Sequence, residues 1–199
     1  MKLLTASASP FANKVRMAAQ FAGIPLEAVA VDAGAQPPEL LAANPLGKIP
    51  CLVLDDGTGL FDSRPITRYL HNRFDTALYP DEKSEAAMRV ARYEALCDGI
   101  CDCAVAYQYE KRMRPEENWH QPWLDRQWTK AKAGLREAAT ELPPTGEDAD
   151  IRSIALSATL GYLALRFPGE WEAENPELVD WSSRFDAAHP SVSALKPSA

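Results

Sequence analysis

Asn44-Pro45-Leu46-Gly47-Lys48-Ile49-Pro50-Cys51-Leu52-Val53-Leu54 reads as a punctuated loop running straight into a short apolar strand. Pro45 and Gly47 mark the turn. Pro50 stands where the loop becomes the strand. A proline there can be cis, and its missing N–H leaves a gap in the ladder. Backbone groups beside such a gap are free to pair with something other than the sheet, such as an extended peptide. An ordinary junction between a loop and an edge strand uses the same residue types, so the flanking sequence has to decide.

Upstream, Lys2 to Ala6 is a short strand. Ser9 followed by Pro10 fits an N-cap with proline at the first helical position. Phe11, Val15, Ala18, Ala19 and Ala22 then fall at helical spacings, and Gly23 supplies the stop. Leu26 to Val31 is a second strand. Strand, helix and strand in that order imply a right-handed crossover and parallel pairing. Pro37 to Ala43 is a helical turn within a loop.

Downstream, Cys51 to Asp55 is the third strand, Asp56-Gly57-Thr58-Gly59 a hairpin turn, and Gly59 to Phe61 a fourth strand. Ser63 is expected to cap a helix to Phe74, with Ile66, Tyr69, Leu70 and Phe74 as its apolar stripe. Beyond the linker from Asp75 to Lys83 the strand signals stop. Ser84 to Arg112 is one long helix, with Met88, Ala91, Ala95, Leu96 and Ile100 at helical spacings. A second helix restarts at Pro115 and carries Trp119, Trp123 and Trp128 as far as Leu142. Asp150 caps a third, Ile151 to Phe167, and Pro176 to Phe185 is a fourth. The chain therefore divides into an α/β unit over residues 1–77 and an all-α unit over residues 84–199.

Composition excludes several classes. A hydrophobic fraction of 46% with 25% charged residues is ordinary for a globular protein with a substantial core. The 28 acidic residues outnumber the 21 basic ones, and a net charge of −7 disfavours nucleic acid and anionic membrane as partners. No apolar run reaches the length of a membrane-spanning helix, and the apolar start is too short for a signal peptide. Cys97, Cys101 and Cys103 cluster, with Cys51 apart, and the three histidines are scattered. That pattern lacks paired zinc-ligand spacing, so no metal is expected. Free buried thiols and a cytoplasmic location fit the absence of a disulfide framework.

Three short motifs now stand in order: Ser-Pro-Phe-x-x-Lys-Val-Arg from Ser9 to Arg16, Asn-Pro-Leu-Gly-Lys-Ile-Pro from Asn44 to Pro50, and Asp62-Ser63 before a helix. Each alone is weak. Together they resemble the N-terminal domain of the glutathione S-transferases, of the bacterial cytosolic type with a Ser-Pro-Phe motif. The resemblance runs more loosely over nearly the whole chain, including Pro176 to Trp181 and Pro190 to Val192. It implies a thioredoxin-like domain followed by a helical bundle domain. It also implies glutathione as co-substrate, a small apolar electrophile as its partner, a homodimer and a role in detoxification.

Glutathione carries two carboxylates, an ammonium group and a thiol. Its free thiol has a pKa well above 7, so activation means lowering it by about two units. A hydroxyl at a helix N-terminus does this by hydrogen bonding and through the helix dipole. Ser9 has that address, and the resemblance assigns it the thiolate; a plain N-cap is the structural alternative, and Ser7 lies in the same turn. Ile49, before a cis-Pro50, would offer its N–H and C=O to the cysteinyl part, as strand addition does. Lys48 would reach the glycine carboxylate. Ser63 would hold the γ-glutamyl carboxylate on exposed N–H groups, and Asp62 its ammonium. The family's commonest pattern has Glu before this serine; Asp62 is one methylene shorter. Arg64 is expected to be solvated, and Asp98, Asp102, Tyr107 and Tyr109 to pack or face solvent.

Two other functions remain open. A glutathione-dependent thiol oxidoreductase would place cysteine where Ser9 stands. A binding or regulatory module of the same fold would need no activating hydroxyl.

Overall fold

The computed structural model describes residues 1–198. Four strands form one sheet: β1 (Lys2–Thr5), β2 (Glu27–Ala30), β3 (Cys51–Val53) and β4 (Gly59–Leu60), in the order β2-β1-β3-β4. β1 runs parallel to β2, with Leu3 opposite Ala28, and antiparallel to β3, with Leu3 opposite Leu52. β3 and β4 form the hairpin, with Leu52 opposite Leu60.

Successive side chains on a strand point to opposite faces. Leu3 and Leu52 therefore join Val15, Ala19, Ile66 and Leu70 under the helices α1 (Pro10–Phe21) and α3 (Ser63–Phe74). Leu4 and Cys51 pack on the other face with Leu40 of α2 (Pro38–Ala43). At Gly59 a Cβ would stand 1.9 Å from the Ala43 carbonyl oxygen, so the approach of α2 to β4 requires glycine there.

The rest is helical: α4 (Glu85–Met113), α5 (Gln121–Ala139), α6 (Ile151–Arg166), α7 (Pro176–Ala188) and the short α8 (Pro190–Ser193). α6 is buried along almost its whole length, as an all-round apolar helix at the centre of a bundle should be. It packs against α4 and α1, and Ile151 N–H donates to the Leu78 carbonyl at 3.0 Å. The fold is a thioredoxin-like domain followed by a helical domain. Among the described residues no helix is long and apolar enough to cross a membrane.

Three expectations need correction. Asp62 caps α3, its Oδ1 accepting from Arg64 N–H, and Ser63 is the first helical residue. The second long helix begins at Gln121 after a 3-10 turn at Glu116–Asn118; His120-Gln121-Pro122 offers proline in the first turn, where it fits. The buried stripe of α4 is Val90, Tyr93, Glu94, Cys97, Asp98, Ile100, Cys101 and Ala104, whereas Met88 is 73% exposed. Ile100 of the expected positions is buried and Leu96 packs against the core, but two buried carboxylates sit inside the observed stripe, which apolar spacing alone does not pick out.

Candidate active site

A cleft of about 430 Å³ opens between the two domains. Its floor is the loop that ends in Pro50. Asn44 is buried and staples that loop: Nδ2 donates to the Lys48 carbonyl at 2.8 Å, and Oδ1 accepts from Leu46 N–H at 3.0 Å. Gly47 N–H closes the turn on the Asn44 carbonyl at 2.9 Å, with a φ of +61° that favours glycine. The Ile49–Pro50 peptide is cis. Ile49 N–H and C=O make no backbone hydrogen bond among the described residues.

Lys48, Ile49, Pro50, Asp62 and Ser63 all line this cleft, with Phe11, Asn44, Leu46, Phe61, Arg64, Pro65, Asp98 and Asp102. The five peptide-site residues expected from the sequence are thus brought together. Ser9 is not among the lining residues, although Phe11, two residues on, is. Ser9 is half-buried and caps α1, its Oγ accepting from Ala12 N–H at 3.2 Å. Ser7 is exposed, and its carbonyl accepts from Asn13 Nδ2 and from Ser198 N–H.

Behind the cleft lies a charged network that the sequence reading missed. Lys14 is buried on α1, and its Nζ donates to Glu94 Oε1 at 3.0 Å and to both oxygens of Asp98 at 2.8 Å. Arg64 Nε donates to Asp98 Oδ2 at 2.7 Å. Arg64 is therefore an anchored residue, not a free surface one, although 48% of its side chain is exposed. Tyr79 O–H donates to both Glu94 oxygens at 3.1 Å and stands 2.7 Å from Thr67 Oγ1. One carboxylate, Asp98, thus fastens α1, α3 and α4 together. The signal was available: Glu94, Asp98 and Asp102 recur every fourth residue and so share a helix face.

Burial alone would lower the pKa of Lys14, but the charges and hydrogen bonds of Asp98 and Glu94 outweigh it and raise the value. The hydrogen bond to Asp98 raises that of Arg64. Asp102 is pushed up by burial and by the nearby Asp98 charge. Cys97, Cys101 and Cys51 are buried, and burial pushes all three thiols up, Cys101 to about 12.

Residues 8–73 match the profile of the glutathione S-transferase N-terminal domain. The chain is 30% identical over 185 residues to the uncharacterized GST-like protein YibF of Escherichia coli (strain K12), with 90% of each chain covered. The chain belongs to the glutathione S-transferase family. A glutathione S-transferase of Methylobacterium radiotolerans, solved in complex with glutathione sulfonate, superposes with a TM-score of 0.89 at 36% identity, covering 100% of this chain and 95% of that one. A glutathione S-transferase of Methylobacillus flagellatus, solved with glutathione bound, gives 0.87 at 34% identity and 99% coverage of both. Within this family member, the loop ending in Pro50 and the start of α3 line the same cleft.

Proposed function

We propose that the protein binds glutathione in this cleft and stabilises its thiolate for attack on a small apolar electrophile. The observation that carries the reading is the meeting of Lys48, Ile49, Pro50, Asp62 and Ser63 in one cleft. The residue 1–77 unit supplies the peptide site, and the residue 84–199 unit supplies the opposite wall. The unpaired N–H and C=O of Ile49 take the cysteinyl backbone by strand addition. The N-terminus of α3 at Ser63 takes the γ-glutamyl carboxylate, Asp62 the ammonium and Lys48 the glycine carboxylate. Ser9 at the start of α1 donates to the thiolate, and the thiol proton leaves to solvent. The homodimer and the detoxifying role implied by the sequence belong to the same reading.

A binding module without transferase activity is favoured by one observation, the absence of Ser9 from the cleft lining. The thiol oxidoreductase reading lacks a nucleophile, because Cys51 is buried and its pKa is raised by that burial.

Calorimetric titration of glutathione into wild type and Ser63→Ala tests binding. Thiolate absorbance of the complex near neutral pH tests activation. The transferase reading expects binding that collapses in Ser63→Ala and a thiolate signal that Ser9→Ala abolishes. Binding with no thiolate signal would leave only the module. No binding at millimolar glutathione would sink the transferase and leave a regulatory module of the same fold.

A further inference from the structure

Asn13 is fully buried on α1, four residues after Ser9. Helix formation does not ask for it there. Asparagine is a poor helix former because its amide competes for backbone groups, and a buried amide costs free energy unless its ends are paired. Both ends are paired. Nδ2 donates to the Ser7 carbonyl, and Oδ1 accepts from Arg16 Nη1 at 2.9 Å. A charged donor on the amide oxygen strengthens the amide as a donor at its other end.

The carbonyl that Asn13 holds belongs to the turn that leads into Ser9. Ser9 N–H donates to the Ala6 carbonyl at 3.0 Å, which closes Ala6 to Ser9 as a β-turn with Ser7 and Ala8 at its centre. The Ser7 carbonyl accepts a second bond from Ser198 N–H at 3.0 Å, so both of its lone pairs are filled. It is directed at a side chain with no exposure, and hence into the protein. A carbonyl oxygen turned outward at the start of α1 would set the negative end of a peptide dipole beside an incoming thiolate.

We infer that Asn13 is a positioning residue: through the Ser7 carbonyl it seats the Ala6 to Ser9 turn on α1, so that the Ser9 hydroxyl, and no carbonyl oxygen, meets the glutathione sulfur. Arg16 holds the amide from behind. This rests on the transferase reading and adds to it the side chains that place the hydroxyl. Asn13 is not among the residues that line the cleft, so it acts through the turn alone. A donor has to keep its place to within about 0.5 Å, and a misplacement of about 1 Å costs about 100-fold in the chemistry it serves. Lys48, Ile49, Pro50, Asp62 and Ser63 are carried by other segments and do not depend on this turn.

The test reads thiolate absorbance of bound glutathione against pH in wild type, Asn13→Leu, Asn13→Ser and Arg16→Gln. S-methylglutathione, which has no thiol to ionise, is titrated by calorimetry into the same proteins. Leucine keeps the volume and drops both bonds, and serine is too short to reach the Ser7 carbonyl. Both Asn13 variants should raise the pKa of the bound thiol by about one unit, a shift of about tenfold in its ionisation equilibrium. Both should bind S-methylglutathione within about twofold of wild type. Arg16→Gln leaves the amide in place and should raise the pKa by less than about half a unit. A wild type whose bound thiol keeps its ordinary pKa would sink the transferase reading, and this inference with it. A lowered wild-type pKa that persists in an Asn13 variant still able to bind S-methylglutathione would sink this inference alone. Loss of S-methylglutathione binding in both Asn13 variants would also overturn it, since the residue would then support the whole fold and not the turn. So would a thiolate that Ser7→Ala removes and Ser9→Ala spares.

Discussion

At the start of α1 the cap is Ser9, a neutral hydroxyl; at the start of α3 it is Asp62, a carboxylate. Neither helix has a further acidic residue in its first turn. A helix N-terminus carries about half a positive charge. At α1 that charge is left for an incoming anion. At α3 it is partly offset by Asp62, so the local field is mixed. A lone thiolate suits the first end. An amino-acid head, with ammonium beside carboxylate, suits the second. The anchors differ too. α1 is tied to Asp98 by a buried lysine, and α3 by an arginine with half its side chain in solvent.

The anchors give the largest expected effect. Lys14→Met leaves Glu94 and Asp98 buried with one cation fewer, and should cost about 3–5 kcal/mol in urea unfolding. Arg64→Met should cost less than about 1 kcal/mol, because its bond is partly solvated. Equal losses would mean that the two anchors are equivalent. Lys14 also fixes a pH dependence. Its folded pKa lies above the ordinary 10.5, so its contribution is complete below that value and disappears as the pH rises through the folded value. Wild type should show that alkaline loss of stability, and Lys14→Met should lack it.

Next comes the neutral cap. Ser9→Ala should raise the pKa of the bound thiol by about two units, or roughly 2.7 kcal/mol, read as thiolate absorbance against pH. It should also remove about 1 kcal/mol of stability through the lost cap. The carboxylate end of the peptide should bind as before. The smallest effect expected on the bound peptide is at the anionic cap. Asn caps as well as Asp, so Asp62→Asn should keep α3 intact while weakening glutathione by about tenfold, roughly 1.4 kcal/mol. A shift of the thiol pKa in Asp62→Asn would show that the two ends are not independent.

The sheet, α1, α3 and the cleft loop were legible in the sequence because each rests on local chemistry: Ser9-Pro10 at a helix start, Asp56-Gly57 in a turn, Pro50 at a strand mouth. The same locality gathered the peptide-site residues, since short motifs carry short-range geometry. What was not legible is what joins distant segments. Lys14 looked like the interior of a motif, yet its partners lie 80 and 84 residues away. Glu94 and Asp98 belong to the buried face of α4 only because Lys14 and Arg64 neutralise them, and an apolar stripe search discards such positions. The placement of Asp62 rather than Ser63 at the cap of α3 is a shift of one residue between two good capping types, which propensity does not resolve.

Ser198 N–H donates to the Ser7 carbonyl at 3.0 Å, two residues before Ser9. The preceding tail lies flush on α6, where a Cβ on Gly161 would come within 3.0 Å of Pro197 Cδ and 3.1 Å of Lys196 Cβ. The turn before Ser9 therefore leans on a doorstop made by residues 196–198. Clipping the chain before Lys196, or wedging a methyl under it with Gly161→Ala, would loosen that turn from behind. The sulfur chemistry would drift while the amino-acid end of the cleft stayed as it was.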